Sequence, residues 1–262
     1  MTRIISGAAM SAAVLAALWF LSPVFLLGVA VIVALLAFHE YAGIAGRAGA
    51  RVSKPAAGVA TAVVCVAVGM PGLPIEVALA GVVLGLCGVV LGRGAGGEGE
   101  AVRDAALAAF APLYIGLPLG LLAATRWTLG RETALLLIAT VASSDTLQYY
   151  CGRLFGRHPL APAISPKKTI EGAIGGFAGG AIGLALLGHW WLPDVPLPWR
   201  IALGLAVAAA GIAGDLFESL LKRSVGVKDS SAIIPGHGGV LDRIDALLFA
   251  APVFYVFVRY RF

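Results

Sequence analysis

The stretch SLLKRSVGVKDSSAIIPGHGGVLDRID, Ser219 to Asp245, sets charged residues and a glycine-rich turn into a chain that is otherwise mostly apolar. It carries the cations Lys222 and Arg223, then Lys228 and Asp229, then Pro-Gly-His-Gly-Gly at 235–239, then Asp242, Arg243 and Asp245. Long apolar runs flank it on both sides, so it reads as a polar connection between two membrane helices. Its contents suit phosphates and a divalent cation.

The rest of the chain supports the membrane reading. Its 262 residues are 60% hydrophobic and 13% charged, with a mean hydropathy of +0.94, whereas soluble domains carry about 25% charged residues. Apolar runs near bilayer-spanning length recur at Ile4–Leu21, Pro23–Phe38, Ala56–Met70, Leu73–Leu91, Ala105–Ala124, Thr133–Phe155, Ile170–Trp191, Ile201–Leu221 and Val240–Val258. They predict an all-α polytopic membrane protein of about nine transmembrane helices. No small-x-small cleavage site is evident before Pro23, so the first helix is expected to stay attached.

The formal charge of +5 raises the question of nucleic acid, which the placement of the cations answers. With nine spans, one side carries Arg3, Arg47, Arg51, Lys54, Arg93, Arg103, Arg153, Arg157, Lys167, Lys168, Lys222, Arg223, Lys228 and Arg243. The other side keeps Arg126, Arg131, Arg200, Arg259 and Arg261. This positive-inside bias predicts a cytoplasmic N-terminus and cytoplasmic loops after spans 2, 4, 6 and 8. The basic balance reports topology and contact with anionic headgroups, not DNA.

Residues 1–130 read as transmembrane scaffold and 131–262 as the catalytic helices with their cytoplasmic loops, together one integrated membrane domain. The scaffold is rich in small residues that suit close helix contacts in lipid. Its polar pair His39-Glu40 reads as a helix end at the membrane interface, with contact to the site as the alternative, and Cys65, Cys87 and Cys151 as small packing residues without metal-like spacing. Arg93 to Arg103 lacks the Gly-Lys-Ser/Thr ending of a phosphate-binding loop and reads as a linker.

The catalytic half differs because its polar residues sit at membrane depth. Asp145 lies in an apolar helix, where a carboxylate needs a partner, a cavity or a cation; pairing with an arginine for packing is the plain alternative. Ser165, Lys167 and Lys168 precede a helix start, where backbone N–H groups and the dipole favour anions. Span 7, with Gly175, Gly176, Gly179, Gly180 and Gly183, offers a flat face to a neighbouring helix. Asp215, Glu218, Ser219 and Lys222 share one face of span 8, and Asp242 and Asp245 share one face of span 9.

Asp145, Asp215, Glu218, Asp242 and Asp245 cannot stay ionised and unpaired in a low-dielectric site. Oxygen ligands without convergent His or Cys favour Mg²⁺, which takes one or two carboxylates plus phosphates and water; a second cation beside it stays open. Lys222, Arg223, Lys228, Arg243, Lys167 and Lys168 would hold phosphate oxygens. Gly236, Gly238 and Gly239 allow close backbone approach and an anion nest. His237 would hydrogen-bond a phosphate, with acid/base work as the alternative.

The pattern S-x-x-K-R-x4-K-D-x5-P-G-H-G-G-x2-D-R-x-D from Ser219 to Asp245 resembles the signature of the phosphatidate cytidylyltransferase family, also called CDP-diacylglycerol synthase. D-T-x2-Y-x2-G-R-x-F-G-R from Asp145 to Arg157 and S-P-K-K-T-x-E-G from Ser165 to Gly172 are similar to the family's second shared region. One departure falls at Leu147 and Gln148, where many relatives carry smaller residues.

The resemblance implies reaction of CTP with phosphatidic acid from the bilayer, using Mg²⁺, in the bacterial cytoplasmic (inner) membrane with the site facing the cytoplasm. It implies that Asp215, Asp242 and Asp245 are metal ligands with Asp145 and Glu218 close by. Ser165, Lys167, Lys168, Ser219, Lys222, Arg223, Lys228, Asp229 and Arg243 would bind the triphosphate and the lipid phosphate. The glycine-rich helices suit a homodimer. The rivals are a CTP-dependent enzyme on another lipid, such as an ether lipid or a polyprenol, and an ion-coupled transporter, since intramembrane carboxylates also mark ion paths.

Overall fold

The computed structural model describes residues 12–94, 99–231 and 238–261. The chain divides into two compact units, Met1–Thr128 with Ser224–Arg243, and Leu129–Arg223 with Ile244–Phe262.

In the first unit, α1 (12–20) leads into α2 (Pro23–Arg47), α3 (Lys54–Gly69), α4 (Ile75–Gly92), α5 (Glu100–Ala111) and α6 (Leu117–Thr128). Proline opens α2 and α3, where its missing N–H would have no helical partner anyway. Gly49, at φ +82, follows α2 in a conformation that side chains resist. Between α5 and α6 the chain runs through a π-helical turn, Pro112–Gly116, so Glu100–Thr128 stays continuous. The wider turn accommodates a proline that cannot donate to the helical ladder.

Small residues hold this unit together. A Cβ on Gly116 would strike the Thr61 carbonyl oxygen, and one on Gly120 would lie 2.7 Å from the Cys65 carbonyl oxygen, so α3 meets this long helix backbone to backbone. Lipid tails give helices no hydrophobic reason to associate, so such close van der Waals contact is what binds them. Buried Tyr41 donates from its hydroxyl to the Leu107 carbonyl oxygen at 2.9 Å, with its ring against Phe110 and Tyr114.

The second unit contains α7 (Arg131–Phe155), strands β1 (Pro159–Ala161) and β2 (Ser165–Thr169), α8 (Ile170–Trp191), α9 (Leu197–Ser224) and most of α10 (Leu241–Arg261). The flat glycine face expected of span 7 does pack helices. Cβ atoms on Gly175 and Gly179 would collide with Cys151 and with the Ser143 carbonyl of α7, while Gly180 and Gly204 press backbone to backbone between α8 and α9. Gly214 of α9 meets the Asp245 carbonyl of α10 just as closely.

The all-α polytopic reading stands. Among the described residues, five helices are long and apolar enough to cross a membrane: α2, α4, the continuous Glu100–Thr128, α8 and α9. The expected span from Ile4 lies partly outside the described residues. The α3 helix is shorter, at 16 residues; α7 and α10 are long but carry Asp145, and Asp242, Arg243 and Asp245, within their runs. The segment between α7 and α8, read as a loop, contains an antiparallel hairpin with Pro159 opposite Thr169 and Ala161 opposite Ser165. The placement of Glu40 at an interfacial helix end is corrected: it is 3% exposed, while its neighbour His39 is exposed.

Candidate active site

The hairpin positions the first functional cation. Thr169 ends β2 and caps α8, its hydroxyl oxygen accepting from Gly172 N–H at 3.1 Å. Glycines at 152 and 156 make room: a Cβ at either would come within 3.1 Å of the Thr169 side chain. Glu171 in the first turn of α8 accepts from the backbone N–H groups of Arg157 and His158 and lies 2.6 Å from His158 Nδ1. These contacts tie both ends of the hairpin to α8 and fix the backbone of Lys168.

From there Lys168 reaches α9. Its Nζ lies 2.5 Å from Asp215 Oδ2, with the lysine side chain 14% and the aspartate 39% exposed. Asp145 of α7 interacts electrostatically with both Asp215 and Lys168. Asp245 of α10 interacts with Asp215, Asp145 and Lys168, and its Oδ1 accepts from Ala246 N–H at 2.7 Å. Four residues from a strand and three helices thus form one cluster of three carboxylates and an ammonium. Among the described residues, the charged groups that act on Asp145 are Asp215 and Lys168 rather than an arginine.

One turn further along α9, Lys222 Nζ lies 2.5 Å from Glu218 Oε2, and the side chains are 11% and 1% exposed. Two opposite charges withdrawn from water are tolerable only together, so each requires the other. Ser219 between them is half-buried, and exposed Arg223 turns its Nε toward the Ile164 carbonyl oxygen in the hairpin turn. Ser165 is half-buried in β2, and Lys167 is exposed.

In the first unit a second group of polar residues surrounds the start of α10. Asp242 Oδ2 accepts from Gly239 N–H at 2.7 Å, from Ser230 N–H at 3.2 Å and from the Ser230 hydroxyl at 2.9 Å. Gly238, at φ +81, is required there, since a Cβ would stand 2.6 Å from the same oxygen. Lys228, Asp229 and Arg243 are exposed. Gly236 and His237 lie outside the described residues.

The residue for which the sequence favoured the wrong one of two readings is Glu40. Its Oε1 accepts from the Ser231 hydroxyl at 2.6 Å and Val240 N–H at 2.9 Å, and its Oε2 from the Ser230 hydroxyl at 2.9 Å and Leu241 N–H at 2.8 Å. An acid near an apolar run always wants a partner, which was the available clue. Nothing in the spacing says that the partners come from the far end of the chain.

The donor chemistry fits a hard divalent ion. Asp145, Asp215 and Asp245 present only oxygens, and with Lys168 the cluster still carries excess negative charge. Among the described residues no three His, Cys, Asp or Glu side chains form a ready-made cage. Mg²⁺ characteristically needs no such cage, because one or two carboxylates with substrate phosphates and water suffice.

Glycine-packed membrane helices and a carboxylate–lysine cluster beside a cytidylyltransferase-like signature define a multi-pass membrane protein with a polar site among its helices. The chain belongs to the cytidylyltransferase family, whose sequence pattern matches residues 1–261. It is 45% identical over 126 residues to the phosphatidate cytidylyltransferase of Aquifex aeolicus, covering 47% of this chain and 45% of that protein. It is 44% identical over 132 residues to that of Synechocystis, covering 49% and 44%. An uncharacterised protein of Escherichia coli is 44% identical over 131 residues, covering 50% and 44%. The matched stretch therefore spans about half of this chain and under half the length of these relatives.

Proposed function

We propose that this protein transfers the cytidylyl group of CTP to phosphatidic acid, giving CDP-diacylglycerol and pyrophosphate. The observation that carries the reading is the Lys168–Asp215 contact with Asp145 and Asp245 around it. It joins the two stretches of sequence that resemble the family signature. The two relatives named as phosphatidate cytidylyltransferases support the choice of lipid.

In the proposed reaction an oxygen of the phosphatidate phosphate attacks the α-phosphorus of CTP in line. A new P–O bond forms there, the bond from that phosphorus to the α–β bridging oxygen breaks, and pyrophosphate departs with the electron pair. Such transfers need positioning and charge neutralisation more than covalent help. Lys168, Lys167, Arg223, Lys228 and Arg243 neutralise phosphate oxygens, and Lys222 does so while balanced by Glu218. Ser165, Ser219 and Asp229 line the substrate path, Gly236, Gly238 and Gly239 bring backbone N–H groups to a phosphate, and His237 donates a hydrogen bond to one.

The motif assigns the metal to Asp215, Asp242 and Asp245, with Glu218 and Asp145 nearby; bound Mg²⁺ would stabilise charge developing on the phosphates. The protein is placed in the bacterial inner membrane with this chemistry on the cytoplasmic side, in keeping with the cation bias. A homodimer through lipid-facing glycine-rich surfaces completes the proposal, with residues 1–130 as scaffold and 131–262 as catalytic helices.

The test is release of pyrophosphate by detergent-purified protein given CTP, phosphatidate and Mg²⁺, with label followed from the α and γ positions of CTP. Label from the α position in the lipid, dependent on phosphatidate and abolished by a chelator, is the expected result. Lipid labelled only from the γ position would make the protein a kinase instead.

A further inference from the structure

Glu40 stands outside the signature, next to His39 in a largely apolar helix, yet it makes four hydrogen bonds to the segment that carries Asp242. Two are to the N–H groups of Val240 and Leu241, at the first turn of α10, and two are to the hydroxyls of Ser230 and Ser231 before the glycine-rich turn. The carboxylate is 3% exposed. A buried carboxylate is stable only when its lone pairs are filled, and here the unpaired amides of a helix start help to fill them.

The same hydroxyl of Ser230 lies 2.9 Å from Glu40 Oε2 and 2.9 Å from Asp242 Oδ2. A hydroxyl has a single proton, so the two carboxylates share one donor. The conformation of Asp242 is thereby linked to Glu40. A Cβ on Gly239 would collide with both the Ser230 hydroxyl and the Glu40 carboxylate, so the four groups fit only with glycine at that place.

We propose that Glu40 is a positioning residue for cytidylyl transfer: it latches the Ser230–Ser231 turn to the first turn of α10 and so fixes the carboxylate of Asp242. The proposal deepens the functional reading above and rests on it for the role of Asp242. The scaffold half thereby supplies a group that the reaction depends on without touching substrate.

Two measurements on Glu40→Gln test it. Glutamine keeps the shape but turns an NH₂ toward N–H and O–H donors. First, hydrogen–deuterium exchange on metal-free protein in detergent should quicken about tenfold or more at the amides of Val240 and Leu241, while α8 stays as in the wild type; an opening of about 1.4 kcal/mol corresponds to that factor. Unchanged exchange there overturns the latch. Second, in the pyrophosphate assay the Mg²⁺ concentration for half-maximal rate should rise at least about fivefold. A purely structural residue would lower the maximal rate through lost folded protein and leave that concentration unchanged, and such an outcome overturns the positioning role.

If wild-type protein shows no phosphatidate-dependent turnover, it is the functional reading that has failed. The exchange measurement still decides the latch. Ser231→Ala provides the independent check: its effect on exchange should be nearly absent in the Glu40→Gln background, because both remove the same contact. Full additivity of the two counts against the proposal.

Discussion

The ammonium of Lys168, at the end of a short strand, stands 2.5 Å from the carboxylate of Asp215 in the middle of a membrane helix. Neither residue has a charged partner close by in its own element, so the contact is the work of the tertiary fold. It gives the cluster of Asp145, Asp215 and Asp245 its counter-charge.

Lys168→Met should therefore lower kcat/KM for CTP about 10- to 100-fold, the equivalent of losing about 1.5–3 kcal/mol from one charge-assisted contact. Lys168→Arg should recover only part, because the planar fork cannot reproduce a compact ammonium. Steady-state pyrophosphate release measures both. Wild-type kinetics in the methionine variant would remove Lys168 from the site.

The buried pair Glu218–Lys222 separates stability from activity. Lys222→Met alone removes the ammonium beside a buried carboxylate and should cost about 3–5 kcal/mol, read as a lower thermal midpoint in detergent. Converting both residues, Glu218→Leu with Lys222→Met, should restore the midpoint but not turnover. Restored turnover would show that Lys222 has no part in binding phosphate.

Gly180 and Gly204 predict a steric result. Gly204→Val forces α8 and α9 apart and should destabilise by about 1–3 kcal/mol or more, as overpacking does. Gly43→Ala, an exposed position with open space around the new methyl, should change stability by under about 1 kcal/mol. Thermal melts of the two proteins side by side provide the comparison.

Thr169→Val removes the cap of α8 and should cost about 1 kcal/mol of stability. Activity should fall further than that, because Lys168 precedes the cap directly. Thr169→Ser keeps the acceptor oxygen and should restore both, as melting and turnover assays on the same preparations will show.

Much of this was legible in the sequence because membrane helices announce themselves by length and apolarity. The face shared by Asp215, Glu218, Ser219 and Lys222 follows from helical periodicity, and the glycines of α8 were readable as a packing surface. The β-hairpin was not legible: three- and five-residue strands between polar residues leave no alternating apolar pattern. Glu40 was misread for a related reason, since a single acid near a helix end looks the same whether it meets water or the start of another helix.

By itself, then, the sequence determined that the chain crosses the membrane several times on helices, and which residue types are available for phosphate and metal. Hydropathy and periodicity are local properties, written in each segment. Only the tertiary structure decided the distant partners: Lys168 with Asp215, and Glu40 with the first turn of α10. Those choices depend on where glycines let backbones touch and on which buried charge finds a donor, and both are settled by segments far apart in the chain.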